Sequence, residues 1–364
     1  MIIRKISEKT VAFDLYSNFL QTFQKKIPSK KSFPRKKYFH SSPFEQNTLS
    51  LHHGNFKFTK EMTKKTCPVC GRNEFRTVLT CTDHYVSQET FEIAECVACG
   101  MRITGDFPAE EAIGKYYETS DYISHSDTKK GLVNSLYHRV RQQMLRKKAN
   151  WITKSTGLEK GTILDVGTGT GYFANAMKEL GWTVSVVEKS LSAREFAEKN
   201  FKLTAYPSMD NFVKKHKLSG AEPLDAITLW HVLEHLEQLN ETMEQFGKLL
   251  KPGGTLAIAV PNCESYDARK YKNHWAAYDV PRHLWHFRKK QMNILAKNHG
   301  FTISEIKKMP FDAFYISMMS EKYAGHTAPF IRGILTGTAG YVASLLDNSK
   351  SSSLVYVLKK QNTN

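Results

Sequence analysis

Two patterns in this chain are built for chemistry: paired cysteines and a loop in which glycine alternates with other residues. The cysteines occur as Cys67-Pro-Val-Cys70-Gly and Cys96-Val-Ala-Cys99-Gly. Each Cys-x-x-Cys-Gly makes a tight knuckle whose two sulfurs converge on one point. Two knuckles supply four thiolates in the tetrahedral array that zinc takes in structural sites. Four thiolates leave no open position, so the metal is expected to be structural rather than catalytic. A redox pair or a disulfide accounts less well for the doubled motif. Cys81 and His84, between the knuckles, read as packing residues, with replacement of one ligand as the alternative. The second pattern is LDVGTGTGYF, with Gly167, Gly169 and Gly171 at every second place. Side chains have been removed from a loop that follows an apolar run, so the bare backbone must approach something closely.

The surrounding periodicity says what positions these groups. Phe75, Val78, Phe91 and Ile93 predict two short strands between the knuckles. Leu132, Leu136, Val140 and Met144 predict a helix that also carries Arg139, Arg141, Arg146, Lys147 and Lys148. Those cations read as a solvated basic face, with attraction of an anionic acceptor as the sharper alternative. From Gly161 onward strands and helices alternate. TILDVG, TVSVVE, LDAITLW and TLAIAV are strands, and KPGG is a helix stop before the last of them. Alternation of this kind predicts a parallel sheet covered by helices on both faces, with ligands at the carboxyl ends of the strands. The glycines, Glu188, His231 and Pro261-Asn262 all follow strand ends and can therefore converge.

Glu188 closes the strand after the glycine loop, where a carboxylate can accept both hydroxyls of a ribose. The ligand is then an adenosine-type molecule. No Gly-Lys-Ser/Thr follows, which excludes a phosphate-binding P-loop. The dinucleotide fingerprint puts its third glycine three residues after the second, whereas here the spacing is Gly-x-Gly-x-Gly after an acidic residue. At these residues the sequence resembles the class I S-adenosylmethionine-dependent methyltransferases, of the bacterial small-molecule and glycan-associated type. ILDVGTGTGYF, VVEKS, LDAITLWHVLEHL and LKPGGTLAIAVPN stand in the family's order over roughly residues 145–305. The resemblance implies a Rossmann-like sheet of seven strands with helices on both faces, with FTISEIKKM and SSLVYVLKK as its last strands. It implies S-adenosylmethionine as cofactor. It also implies roles by position: Gly167, Gly169 and Gly171 in the cofactor loop, Asp165 at the amino group, Glu188 at the ribose, Asp210 at the adenine amine and His231 lining the pocket. Tyr122–His125 would touch the cofactor carboxylate. The cysteine segment resembles a zinc ribbon, an addition found in some relatives.

Methyl transfer from a sulfonium is an in-line displacement in which the cofactor carries the activation, so the protein mainly aligns the reactants and excludes water. A hydroxyl or acidic-carbon acceptor would need a base. His231 and, in DVPRHLWHF, His283 are the candidates. His231, Glu234 and His235 would share a face if HVLEH were helical. The stretch resembles the place where ubiquinone-pathway O-methyltransferases carry a metal-assisting acidic-histidine set. His231 replaces the first acid of that set, which weakens the case for a metal. Arg282 would meet an acidic acceptor or Asp279; His286 packs; Trp275, Tyr278 and Trp285 wall an acceptor pocket or form core.

The net charge of +17 is uneven. Residues 1–61 carry 12 Lys/Arg against 4 Asp/Glu, or +8, leaving 40 against 31, or +9, for the rest. A mildly basic body is no argument for nucleic-acid binding. Residues 1–61 hold no apolar core of a secretory signal. They read as a basic extension outside the fold, whether a disordered tail, a transit-like presequence or an upstream extension before Met62. The expected domains are thus 1–61, a zinc ribbon at 62–106, a connector with the basic helix at 107–158, and the methyltransferase domain at 159–364. Phe330–Leu346 is the most apolar run, yet it holds Arg332 and three glycines. It reads as a packed helix rather than a membrane span, with an interfacial role as the alternative. The expected whole is a cytoplasmic enzyme with structural zinc that methylates a small-molecule, sugar or lipid-linked acceptor. The rivals are an RNA or protein methyltransferase gripping its polymer with the ribbon and the basic helix, a non-catalytic zinc-ribbon binding module, and an NAD oxidoreductase, disfavoured by the glycine spacing. The acceptor atom and the oligomeric state are not written in the sequence.

Overall fold

The structure is a computed structural model that describes residues 66–109, 111–117 and 132–362, without side chains for 132–138. The basic extension 1–61 and Tyr122–His125 lie outside the described residues. The chain divides into two units, Met1–Glu61 with Asp127–Gln142, and Met62–Ser126 with Gln143–Asn364. In the first only 132–142 are described; all that follows concerns the second.

A small antiparallel sheet comes first: β1 (Phe75–Thr82), β2 (Thr90–Cys96) and β3 (Arg102–Thr104). Helix α1 (Leu132–Thr156) leads into β4 (Thr162–Val166), α2 (Tyr172–Glu179), β5 (Thr183–Val187), α3 (Leu191–Phe201), β6 (Thr204–Tyr206) and α4 (Met209–Leu218). Then follow β7 (Leu224–Trp230), α5 (Leu239–Leu249), β8 (Leu250–Pro261), α6 (Tyr266–Tyr271), β9 (Trp285–His286) and α7 (Lys289–Asn298). The chain closes with β10 (Phe301–Lys308), α8 (Asp312–Tyr323), α9 (Pro329–Leu346) and β11 (Ser353–Lys360).

The large sheet has seven strands in the order β10-β11-β8-β7-β4-β5-β6. β4 to β8 run parallel, and β11 is inserted antiparallel to both β8 and β10. Central strands are buried along their length: eight consecutive residues of β8 and six of β11 are inaccessible. That is the mark of strands covered on both faces, and it is why they read as unbroken apolar runs. Serines set the helix starts, with Ser190 accepting from the N–H of Ala193 and Ser208 from that of Asn211. The chain passes from β4 to β5 and β6 on one side and to β7 and β8 on the other, so the crevice for a ligand lies above β4.

The helix before KPGG ends at Leu249 as expected, and KPGG itself lies inside β8, whose pairing with β7 jumps from Leu224↔Leu250 to Ala226↔Thr255, so Lys251–Gly254 form a bulge, with Gly253 at φ +70°. One local expectation is corrected. HVLEH is not an α-helix. His231 leaves β7 with φ +61°, and only Leu233–His235 form a single 3-10 turn.

Beyond β10 the chain makes the helical hairpin α8–α9, tied by Glu321. Its carboxylate is fully buried and accepts from Tyr271 Oη at 2.8 Å, Arg332 Nε at 2.7 Å and His326 Nδ1 at 2.6 Å. Burial alone would raise its pKa, but these donors hold it at about 2. A carboxylate depressed in the folded state contributes stability above its unfolded value, near 4.5, and loses it as pH falls toward 2. Because Arg332 and His326 are half exposed, about 2 kcal/mol is expected. Acid titration followed by circular dichroism should show wild type losing its margin over Glu321→Gln across this window; parallel curves would refute the assignment.

Candidate functional site

The glycine loop follows β4 and is pinned to β5 by Gly167 N–H donating to Val187 O at 2.7 Å. All three glycines have positive φ, at +67°, +55° and +83°, but they serve different ends. A Cβ on Gly167 would lie 2.4 Å from Val232 Cγ2, and one on Gly171 would lie 2.8 Å from Leu203 Cδ1. These two let neighbouring segments close in. A Cβ on Gly169 would meet nothing within 4 Å, so Gly169 is the bare backbone that faces the crevice. Its N–H donates to Glu188 Oε2 at 2.8 Å, while Glu188 Oε1 accepts from the Ser190 N–H at 2.8 Å. The carboxylate singled out for a ribose therefore stands directly against the open glycine.

Asp165 is buried at the end of β4. Thr228 Oγ1 donates to its Oδ1 at 2.6 Å, and its Oδ2 accepts no hydrogen bond. Burial pushes its pKa up to about 6. A buried carboxylate oxygen without a donor beside a ligand crevice fits the ammonium of an amino-acid ligand. Asp210 is exposed in the first turn of α4, past the carboxyl end of the edge strand β6 and so at the same end of the sheet as Glu188.

Lys148 completes this group, and the sequence hid it within a run of cations. It turns inward from α1, with Nζ 4.3 Å above the Trp230 ring and in the field of Asp312 and Asp165. Burial lowers its pKa, a cost that a carboxylate would offset. Asp165, Gly169, Glu188 and Lys148 thus gather two carboxylates, open backbone and a buried cation around one crevice. Lys148→Met is expected to weaken S-adenosylhomocysteine binding about tenfold or more and to leave methylthioadenosine, which has no amino-acid carboxylate, unaffected. Calorimetric titration with both ligands checks this, and equal losses would remove Lys148 from the site.

The histidines divide into two groups. His231 Nδ1 lies 3.4 Å from Glu234 Oε1 and Nε2 lies 3.2 Å from Asp312 Oδ2. Burial opposes its charge, but Asp312 and Glu234 outweigh it and raise the pKa to about 9. His231 is therefore an imidazolium at neutral pH, a donor rather than a base. His235 points elsewhere, because the 3-10 turn separates the two rings. Its Nδ1 lies 3.0 Å from Arg282 O and 3.2 Å from Tyr117 Oη, and its ring packs edge-on against His283 at 4.6 Å. His283 Nδ1 lies 2.9 Å from Ala277 O. Donation of both Nδ1–H groups to backbone carbonyls turns both Nε2 atoms away from them, that of His283 to 3.9 Å from Asp279 Oδ2.

Ligand atoms of Glu234, His235 and His283 lie within 4.8 Å of one another, and neither Glu234 oxygen accepts an aligned hydrogen bond. Imidazoles oriented through Nδ1–H on carbonyls, beside a buried carboxylate, are a donor set that fits a divalent cation. His283, not His231, is its third member. The contributing segments are far apart in sequence, so spacing could not reveal it.

The rest of DVPRHLWHF is framework. Arg282 is buried and donates to Asp279 Oδ1 at 2.6 Å, to Asp83 Oδ1 at 2.9 Å and to Tyr116 O at 2.9 Å. Trp275 Nε1 donates to Asp267, Trp285 Nε1 to Leu236 O, and Tyr278 Oη accepts from Arg102. All three aromatics are buried, and His286 contacts Thr104 Oγ1 at 3.0 Å.

The four cysteines of the knuckles converge. Cys67 Sγ lies 3.5 Å from Cys99 Sγ, and Cys70 Sγ 3.5 Å from Cys96 Sγ, with all four sulfurs within 4.8 Å. These separations are far beyond a disulfide, near 2 Å, and close to the roughly 3.8 Å edge of a tetrahedral zinc tetrathiolate. The set fits zinc. Cys81 is not part of it; its buried thiol is pushed up to about 12 by burial. The ribbon is not a separate module, since β9 pairs with β3 and extends its sheet to β1-β2-β3-β9. Glu95 is shared by Arg76, Arg102 and Arg288, and Asn298 donates to Val69 O at 2.9 Å.

Residues 137–306 match the family model described as Methyltransferase domain. Among curated proteins, the chain is 32% identical over 115 residues to a ubiquinone biosynthesis O-methyltransferase of Glaesserella parasuis serovar 5 (strain SH0165), covering 30% of this chain and 49% of the relative. It is 29% identical over 128 residues to the enzyme of the same name from Caulobacter sp. (strain K31), covering 34% and 50%. The chain thus spans about half the length of the curated relatives it matches. A solved S-adenosylmethionine-dependent methyltransferase from Archaeoglobus fulgidus aligns with a TM-score of 0.39 at 20% identity, covering 60% of this chain and 94% of that one.

Proposed function

We propose that this chain, whose residues 137–306 match the Methyltransferase domain model, is a class I S-adenosylmethionine-dependent methyltransferase that transfers the cofactor's methyl group to a hydroxyl of a small-molecule acceptor. The observation that carries the reading is the crevice above β4. There Gly169 offers open backbone between the Glu188 carboxylate and the unpartnered oxygen of Asp165. Glu188 would hold the ribose, Asp165 the amino group and Lys148 the carboxylate of S-adenosylmethionine, which supplies the activated methyl group. His231, held as a cation with one N–H toward Glu234 and the other toward Asp312, places positive charge beside the acceptor and fixes the two carboxylates. His283 and His235 are oriented through their Nδ1 contacts with backbone carbonyls. A divalent cation held by Glu234, His235 and His283 would make an acceptor hydroxyl more acidic. The protein's own share is alignment and exclusion of water.

Transfer to RNA or to a protein is the second reading. Against it, the ribbon braces the acceptor side of the sheet domain through β9, Glu95 and Asn298, which leaves it little freedom as a gripping module. Methyl-labelled cofactor added with the purified chain to fractionated cell extract decides between them. Label in solvent-extractable small molecules is expected. Label in RNA or protein, or none in any fraction, would overturn the proposal.

A further inference from the structure

Helix α9 is turned inside out relative to an ordinary surface helix. Its buried face consists of Gly333, Ile334, Thr336, Gly337, Gly340 and Ser344. Its outer face carries Ile331, Leu335, Val342, Leu345 and Leu346, which are 40–88% exposed. At 100° per residue these five fall within an arc of about 100°, an apolar stripe interrupted by Thr338, whose hydroxyl donates to Ile334 O at 2.8 Å. The glycines explain why the helix cannot roll to bury it. A Cβ on Gly333 would lie 2.5 Å from Met318 Cα, and one on Gly337 would lie 2.8 Å from Phe314 Cα. α9 is therefore seated backbone to backbone on α8, small face inward, and its aliphatic residues have no other place to go. Soluble proteins seldom leave such a stripe without a use.

The charges around the stripe name its occupant. Arg269, Lys270, Lys322 and Arg332 are exposed beside it. Lys270 reaches Thr336 Oγ1, on the flank of α9. The acid among them, Glu321, is fully buried and shared by Tyr271, His326, Arg332 and, at 3.6 Å, Lys270; Arg269 and Lys322 add to these cations and make the rim net positive, with Asp347 the exposed acid at the helix end. Among the described residues no helix is long and apolar enough to cross a membrane. A helix of this length reaches about 27 Å and can lie in the plane of a bilayer surface with its aliphatic face among the acyl chains and its cations at the headgroups. Five side chains fall well short of the roughly 20–30 residues a side of a stable protein interface. We propose that the outer face of α9 docks this protein, helix in plane, on an anionic phospholipid surface. The hairpin that carries it starts at Asp312, which contacts His231, so docking would set the acceptor side of the crevice close to the bilayer.

The test is co-sedimentation of the full chain with vesicles of phosphatidylcholine, with and without phosphatidylglycerol. Wild type is expected to bind, more tightly where phosphatidylglycerol is present. Leu335→Asp with Leu346→Asp should bind at least about tenfold more weakly, with melting temperature and S-adenosylhomocysteine affinity unchanged. An environment-sensitive dye on Leu346→Cys, tested alongside, should shift to the blue on vesicle addition; this keeps the proposal decidable if the double variant does not fold. No vesicle binding, or no dye shift, would overturn it. So would a dimer in sedimentation velocity that the double variant abolishes while vesicles bind nothing, because the stripe would then be an interface between copies.

Discussion

Replacing Glu188 by alanine is expected to cost about 100-fold in affinity for S-adenosylhomocysteine. The carboxylate has two oxygens and, without ligand, satisfies them with the N–H groups of Gly169 and Ser190. A ribose brings two hydroxyl donors to the same oxygens. Hydrogen bonds to a charged acceptor are worth roughly 1.5–3 kcal/mol each, so losing the pair removes about 3 kcal/mol, or two decades in the dissociation constant. Glu188→Gln keeps the shape and one acceptor and should fall between. The same ligand should raise the melting temperature of wild type by linkage, and NAD should not. Unchanged affinity in Glu188→Ala, or stabilisation by NAD alone, would reject the cofactor assignment.

The second large effect is expected at the knuckles. Cys67→Ser should release about one zinc per chain and lower the melting temperature by roughly 10 °C, the shift that about 4 kcal/mol produces in a domain of this size. The reason lies in how the ribbon is joined. Cys96 ends β2, Cys99 stands just before β3, and β3 pairs with β9. Without the metal the turn between β2 and β3 loses its staple, and Glu95 loses its fixed position among Arg76, Arg102 and Arg288. Burial holds the Cys99 thiol at about 11 and raises Cys67 as well, so these two need a cation nearby to carry charge. Metal analysis and thermal melts of Cys67→Ser, with Cys263→Ser as control, test this. Folded wild type containing no zinc, or equal metal loss in the control, would refute it.

The sheet was legible in the sequence because its signals are local. Strands buried on both faces must be apolar throughout, helices between them must show a 3.6-residue period, and the order of TILDV, TVSVV, LDAITLW and TLAIAV then leaves little choice of layering. The knuckles were legible for the same reason, four thiols at short fixed spacing. HVLEH was misleading because its i, i+3 and i+4 spacing suits a helix, whereas the left-handed turn at His231 breaks the register. β9, two residues long, carries no period at all.

What the sequence by itself determined is the layered sheet, the bare loop with its acid one strand away, and the tetrathiolate. Each is set by residues close together or by strand ends that the topology must align. Only the tertiary structure decided that Gly169 alone faces open space, that Lys148 leaves a solvated row to stand over Trp230, that His283 joins Glu234 and His235, and that α9 shows its aliphatic side to the outside. Those outcomes depend on which side chains meet across long stretches of chain, and packing between distant segments, unlike periodicity, leaves no mark in the spacing of residues.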